Sequence, residues 1–293
     1  MTAASDTDIA PAPPPEAAPQ GSSADALGAL RTEIDRLDDQ IHDLVMRRAA
    51  VVAELANSRV KGGASPLRPG REAMILRRLL GRHAGALPGG AVVRLWREIF
   101  GASSAMQGGF TVALHARRPE EARLARDHFG GAIPIRPLPS AARALAAVAA
   151  GEAQVAVLPL PEEGEPDEQA WWTSLDAPRL QVAARLPFWA AKGESPPEAL
   201  AVSLGAPDPS GADRSLLRIE MAEDRGRAQL VAALTAAGLP PRSLLLRRDG
   251  GVVRALAELD GVVAEGDPRL SALPVARALP LGFYAVPERG VLG

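Results

Sequence analysis

The sequence predicts a multidomain chain: an all-α segment of three helices, then a mixed α/β region, then a small α+β sandwich. Three observations carry this. Apolar residues recur at helical spacing from Asp25 onward, with no Gly or Pro across residues 29 to 61. Beyond Gly109 short apolar runs alternate with Arg/Glu-rich helical stretches, the pattern of an α/β unit. From about Leu200 strand-like and helix-like segments alternate again in a shorter unit. The expected boundaries are a tail at 1–23, the helical domain at 24–108, the α/β region at 109–205 and the α+β unit at 206–293.

Composition narrows the function classes. The chain has 293 residues and a net charge of -2, with 47% hydrophobic, 23% charged and 3% aromatic residues. That is enough apolar content for real cores, too few rings for base stacking, and no global basic footprint, so nucleic acid is not expected as a partner. The absence of cysteine removes disulfides, thiolate nucleophiles and Cys-type metal sites. The four histidines, at 42, 83, 115 and 128, have no metal-ligand spacing, so no metal or other cofactor is expected. Residues 1–22 are acidic and Ala/Pro-rich without the basic and apolar regions of a secretory signal, and no run of about 18 apolar residues follows. A flexible tail, no membrane span and a cytoplasmic location are the expectations.

Each helix has its own signal. Leu27, Leu30, Ile34, Leu37, Ile41 and Leu44 are spaced 3, 4, 3, 4, 3, a coiled-coil-like stripe that Val51 and Leu55 extend. One helix of over 30 residues, roughly 50 Å long, follows, and it needs a partner along its length. Gly62-Gly63 and Pro66 stop it, and Pro69 opens a second helix that runs to Leu80. A third carries Val92, Leu95, Trp96, Ile99 and Phe100 and reaches Gln107, before Gly108-Gly109. Further on, the sequence predicts strands at 110–114 and 153–158 around a helix at 119–128, and a loop at 161–170. In the last unit it predicts strands at 215–221 and 243–248, a helix at 226–237 and a short helix near Pro268.

Polar residues interrupt the apolar stripes. The step after Leu44 falls on Arg48 and the one past Leu55 on Arg59, 11 residues on, so both face the interior of the bundle with only about 20° between them. An arginine on a core face is ordinarily an internal ion-pair partner, but two on one face point to an anion. The line Val92, Trp96, Ile99 runs on to Ser103 and Gln107, where helix fraying is the simpler alternative. Arg71-Glu72 opens the second helix, a place where Glu72 also suits the helix dipole. Arg31 lies about 100° around the helix from Arg48 and would serve a site across a dimer seam. Arg31, Arg48, Arg59, Arg71, Glu72, Ser103 and Gln107 contain no nucleophile and no matched acid/base pair. The set suits positioning of a small polyanion and stabilisation of charge that develops in a transition state.

The runs LRTEIDRLDDQIHDLVMRR, RPGREAMILRRL and IFGASSAMQ make residues 25–107 similar to the all-helical chorismate mutases, especially those fused to prephenate dehydratases. The resemblance implies an intertwined homodimer of three-helix chains that rearranges chorismate to prephenate without cofactor. Arg31 matches the arginine that crosses to the partner's site, while Arg48 and Arg71 match the other arginines, Arg48 as a carboxylate ligand. Glu72 matches the residue that holds the substrate hydroxyl, and Ser103 and Gln107 match the polar pair of the last helix, Gln107 near the ether oxygen. Arg59 stands where the family usually has a lysine on that oxygen, and Arg68 where an aspartate is frequent.

The run from Ala125 to Gly164 resembles the first lobe of prephenate dehydratase, but in scaffold only. His115 to Pro119 replace its Gly-Pro-x-Gly-Thr loop, and Pro161-Glu162-Glu163 replace its Glu-Asn-Ser. Dehydratase activity is expected to be lost. Residues 213–251 resemble the ACT domain, which in that family binds phenylalanine. Here Gly226-Arg227-Ala228 and Leu245-Leu246-Arg247 depart from its pattern, so an amino-acid effector is not the first expectation, and a cap on hydrophobic surface stands slightly ahead of dimerisation or binding of another ligand. The alternative to a mutase is a non-catalytic helical scaffold or regulatory protein descended from such a fusion.

Overall fold

The computed structural model describes residues 21–57, 67–223, 225–249 and 251–290. The chain forms two compact units, Met1–Asn57 and Ser58–Gly293. The first contains one described element, α1 (Gly21–Asn57). It is 37 residues long, about 55 Å at 1.5 Å per residue. It begins inside the stretch expected to be tail, because nothing between Pro19 and the apolar stripe breaks a helix. The expected continuation to residue 61, and Arg59 with it, lies outside the described residues. The stripe itself is exposed in the single chain, Leu30 at 64% and Leu44 at 65%.

The second unit opens with two helices, α2 (Pro69–Arg82) and α3 (Gly89–Met106). Pro at the first turn of α2 presets the helical φ and gives up an N–H that would have had no partner. The remaining free N–H groups of that turn are satisfied from far away: the Asp208 carboxylate accepts from Gly70 N (3.2 Å) and Arg71 N (2.9 Å). A side chain is impossible at Gly70, where a Cβ would stand 2.0 Å from the Asp208 carbonyl oxygen.

The α/β region follows as β1 (Val112–Leu114), α4 (Pro119–Phe129), β2 (Ile135–Pro137), α5 (Ala141–Ala149) and β3 (Val155–Pro159). Then come β4 (Leu180–Leu186), β5 (Trp189–Ala191) and β6 (Ala199–Leu204). Strands β2, β1 and β3 are parallel neighbours in that order. Alternation along β1 and β3 sends Val112, Leu114, Val155 and Val157 to the core under α4, and Ala113, Ala156 and Leu158 to the core under α5. Helices therefore cover both faces of this part of the sheet.

The last unit comprises β7 (Asp213–Ala222), α6 (Arg227–Ala236), β8 (Pro241–Asp249), β9 (Val252–Asp260), α7 (Pro268–Ser271), β10 (Arg277–Ala285) and β11 (Glu288–Gly290). Strands β10, β7, β9 and β8 form an antiparallel array, with α6 packed on one face through Leu230 and Leu234. A small α+β sandwich was the expectation, and its strand array is continuous with the α/β region. Nine strands run β2-β1-β3-β6-β4-β10-β7-β9-β8 in one sheet, and β11 pairs separately with β5. The seam is Gly282 against Val182, where a Cβ on Gly282 would lie 2.3 Å from the Val182 carbonyl oxygen. Only glycine lets the two backbones come this close, and its φ of +119° also excludes ordinary residues. Leu216, Leu256, Leu281 and Tyr284 from the last unit share one core with Ala144, Val148 and Trp172, so the composition boundary near 205 is not a packing boundary.

Helices α2 and α3 belong to this second unit. Ala73, Leu76, Val93 and Phe100 pack around Phe188, which precedes β5. Arg77 of α2 locks the arrangement, donating to Glu288 (2.6 Å), to the Ser210 hydroxyl (2.9 Å) and to the carbonyls of Ala212 (3.1 Å) and Val286 (2.8 Å).

Candidate functional site

Arg31 and Arg48 lie on α1, Arg31 exposed and Arg48 half-buried. Arg59 falls outside the described residues. Arg71 and Glu72 occupy the first turn of α2, brought there together by sequence adjacency, with the Arg71 side chain exposed and Glu72 turned inward. Ser103 and Gln107 sit at the end of α3, both half-buried. The Ser103 hydroxyl donates to the Ile99 carbonyl (2.6 Å) and the Gln107 amide to the Ser103 carbonyl (3.0 Å).

Sequence reasoning missed the residue that meets Glu72. Arg97 Nη1 donates to Glu72 Oε2 at 2.7 Å, from a side chain only 6% exposed. The guanidinium also lies over the rings of Phe100 (6.0 Å) and Phe188 (5.7 Å). Burial pushes its pKa down and the Glu72 charge opposes this. A signal was available. Val93, Arg97, Phe100 and Gly101 form an i, i+4, i+7, i+8 line, and Gly101 marks a face too close-packed for a side chain, since a Cβ there would lie 2.2 Å from the Phe129 carbonyl oxygen. The line Val92, Trp96, Ile99, Ser103, Gln107 runs beside that face and is partly exposed.

His128, on α4, completes the buried polar group. It is 7% exposed, and burial together with Arg97 holds its pKa well below the ordinary histidine range, so the imidazole is neutral at pH 7. Glu72 and His128 border the same small cavity, with Phe100 and Ser104.

Strand order reverses at a second location, between β1 and β3. Open α/β sheets bind ligands outside the carboxyl ends of strands at such a point, here the ends of β1 and β3. Its side chains hold one another. Arg117 Nη2 donates to Glu165 Oε2 (2.6 Å), and the other Glu165 oxygen accepts from the Trp172 indole (3.0 Å). Glu165 and Trp172 are both buried.

Among the described residues there is no group of three or more His, Asp or Glu placed to hold a metal ion, and no helix is long and apolar enough to cross a membrane.

Comparison with known proteins agrees with the helical motif. Residues 30–108 match the family model of type II chorismate mutases. A bifunctional chorismate mutase/prephenate dehydratase of Stutzerimonas stutzeri is 33% identical over 152 residues, covering 49% of this chain and 41% of the relative. One from Pseudomonas aeruginosa is 31% identical over 147 residues, covering 48% and 40%. Solved structures share less. A quorum-quenching acylase, GqqA, is 18% identical with a TM-score of 0.47, over 61% of this chain and 96% of its own. The prephenate dehydratase of Arthrobacter aurescens, solved with L-Phe, is 17% identical with a TM-score of 0.44, over 63% and 93%. Both scores are too low to carry an inference. The chain spans about two fifths of the length of its curated relatives, and it resembles the bifunctional chorismate mutase/prephenate dehydratases, with residues 30–108 carrying the type II chorismate mutase match.

Proposed function

We propose that the chain is a chorismate mutase, acting as a homodimer in the cytoplasm, that rearranges chorismate to prephenate in aromatic amino-acid biosynthesis. The observation that carries this reading is the family match over residues 30–108, which contains all seven residues of the polar set. The reaction is pericyclic: a C–O bond breaks as a C–C bond forms, without a covalent intermediate or cofactor. Negative charge grows on the ether oxygen in the transition state. Arg59 and Gln107 donate hydrogen bonds there, while Arg48, Arg71 and the partner's Arg31 clamp the two carboxylates in the compact conformer. Glu72 accepts from the substrate hydroxyl, held in place by Arg97, and Ser103 completes the pocket.

Dehydratase activity is absent in this proposal. The loops that carry the family's site residues are replaced, and their Arg117 and Glu165 are committed to each other. The region 206–293 serves as a cap ahead of any amino-acid effector role. Arg227, in the turn that departs from the ACT pattern, donates to the Leu244 carbonyl and to Glu163 (2.5 Å).

The test is to incubate the purified chain with chorismate and convert the product with acid to phenylpyruvate. Formation of prephenate without added metal or cofactor supports the mutase. A folded protein that gives none is the non-catalytic scaffold instead. In that event activity gained by Arg59→Lys would identify a decayed site.

A further inference from the structure

A cleft of about 440 Å³ opens between α3, α4 and the segment around β5. It lies outside the polar set described above, and two buried polar side chains form part of its lining. Arg97 has five N–H donors and, among the described residues, makes one hydrogen bond, to Glu72. His128 makes no hydrogen bond among them, and its ring meets that of Phe129 edge-on at 4.8 Å between centroids. Among the described residues the buried side-chain nitrogens without a partner belong to Arg117, Arg214, Arg218 and Arg254, so the unpaired nitrogens of Arg97 and His128 open onto solvent-accessible space, where a ligand can meet both.

The rest of the cleft says what kind of group. Arg94 and Arg123 stand at the rim, Arg123 only loosely tied to Asp127 at 3.7 Å. One wall is apolar, made by Pro187, Phe188 and Trp189. The Trp189 indole is seated between two glycines. A Cβ on Gly90 would stand 2.8 Å from its six-membered ring, and one on Gly290 2.5 Å from its Nε1. The wall therefore depends on two positions that accept no side chain. Glu120, Asp127 and Glu194 also line the cleft, and with Glu72 behind Arg97 they oppose a dianion. A monoanion feels about half that repulsion, and an apolar body matches the wall of Pro187, Phe188 and Trp189.

We infer that this cleft binds a small organic carboxylate, its carboxylate on Arg97 and the His128 N–H and its apolar body against Phe188 and Trp189. A carboxylate suits the planar guanidinium fork, and the volume is that of an ordinary small-molecule pocket. The inference does not rest on the mutase reading, and its readout is binding rather than turnover, so either can fail alone.

The experiment uses the full chain labelled with 15N-histidine, whose four imidazoles are few enough to assign by a His128→Gln variant. Benzoate is titrated as the probe, with acetate and inorganic phosphate as comparison anions. Benzoate is expected to move the His128 ring resonances to saturation with a Kd of about 1 mM or tighter, and acetate and phosphate to bind about tenfold or more weakly. Arg97→Met should weaken benzoate about tenfold or more. Because that variant also removes the Arg97 bond to Glu72, Arg123→Ala and Trp189→Leu are run beside it, each expected to weaken benzoate about threefold to tenfold. No saturable movement of the His128 signals overturns the inference. So does a phosphate response equal to that of benzoate, or benzoate binding unchanged in both Arg123→Ala and Trp189→Leu.

Discussion

At the scale of single residues, burial of charge sets the largest energies. Arg97 and Glu72 form an ion pair whose side chains are 6% and 15% exposed. Arg97→Met removes a buried, charge-assisted hydrogen bond to Glu72 and should destabilise the fold by about 1.5–3 kcal/mol, read as a lower urea midpoint. His128 makes stability depend on pH. Its folded pKa lies below the 6.5 of the unfolded chain, so between those values the unfolded state binds the extra proton. The contribution is complete above about pH 6.5 and is lost as pH falls below it. Denaturant midpoints should therefore drop from about pH 7.5 to about pH 5.5, and drop less in His128→Gln. An equal drop in the variant would mean other groups carry the effect. At this scale the sequence was half legible. Polar residues that break an apolar stripe could be read along one helix, as at Arg48 and Ser103. Arg97 could not be recognised as an ion-pair partner, because its carboxylate and the ring of Phe188 come from elsewhere in the chain.

Elements were legible wherever a local signal sets them. Pro69 opens α2 and Gly108-Gly109 follow α3 closely, as their φ preferences dictate. Short apolar runs likewise marked β3 and β7. What joins the elements was not visible, since it depends on single long-range contacts. Arg77 anchors α2 to the segments around Ser210 and Val286 with charge-assisted bonds from a mostly buried side chain. Arg77→Ala should lower unfolding stability by about 2–4 kcal/mol, measured by denaturant titration, while surface variants such as Arg78→Ala change it by less than about 0.5 kcal/mol. Gly282 joins two strand arrays that composition separates. Gly282→Ala should cost about 2–4 kcal/mol, through both its positive φ and the clash with Val182, and hydrogen exchange should rise along β4 and β10 together.

The whole molecule has one feature that a single chain does not resolve. The apolar stripe of α1, from Leu27 to Leu55, is exposed along its length, which is more apolar surface than a lone soluble helix keeps. A second copy of the chain is the partner this account proposes for it. Leu37→Glu combined with Leu44→Glu should shift the chain from dimer to monomer in sedimentation velocity. If the double variant stays dimeric, the seam lies elsewhere. The proposed activity of the chain is the rearrangement of chorismate. It is tested most directly by the rate of chorismate loss, followed by ultraviolet absorbance, for the wild-type chain and for Arg48→Ala. The account predicts saturable turnover in the wild type and a kcat/KM lower by about a hundredfold or more in a folded Arg48→Ala dimer. Wild-type loss no faster than the spontaneous rearrangement, or a folded variant with unchanged kcat/KM, would contradict it.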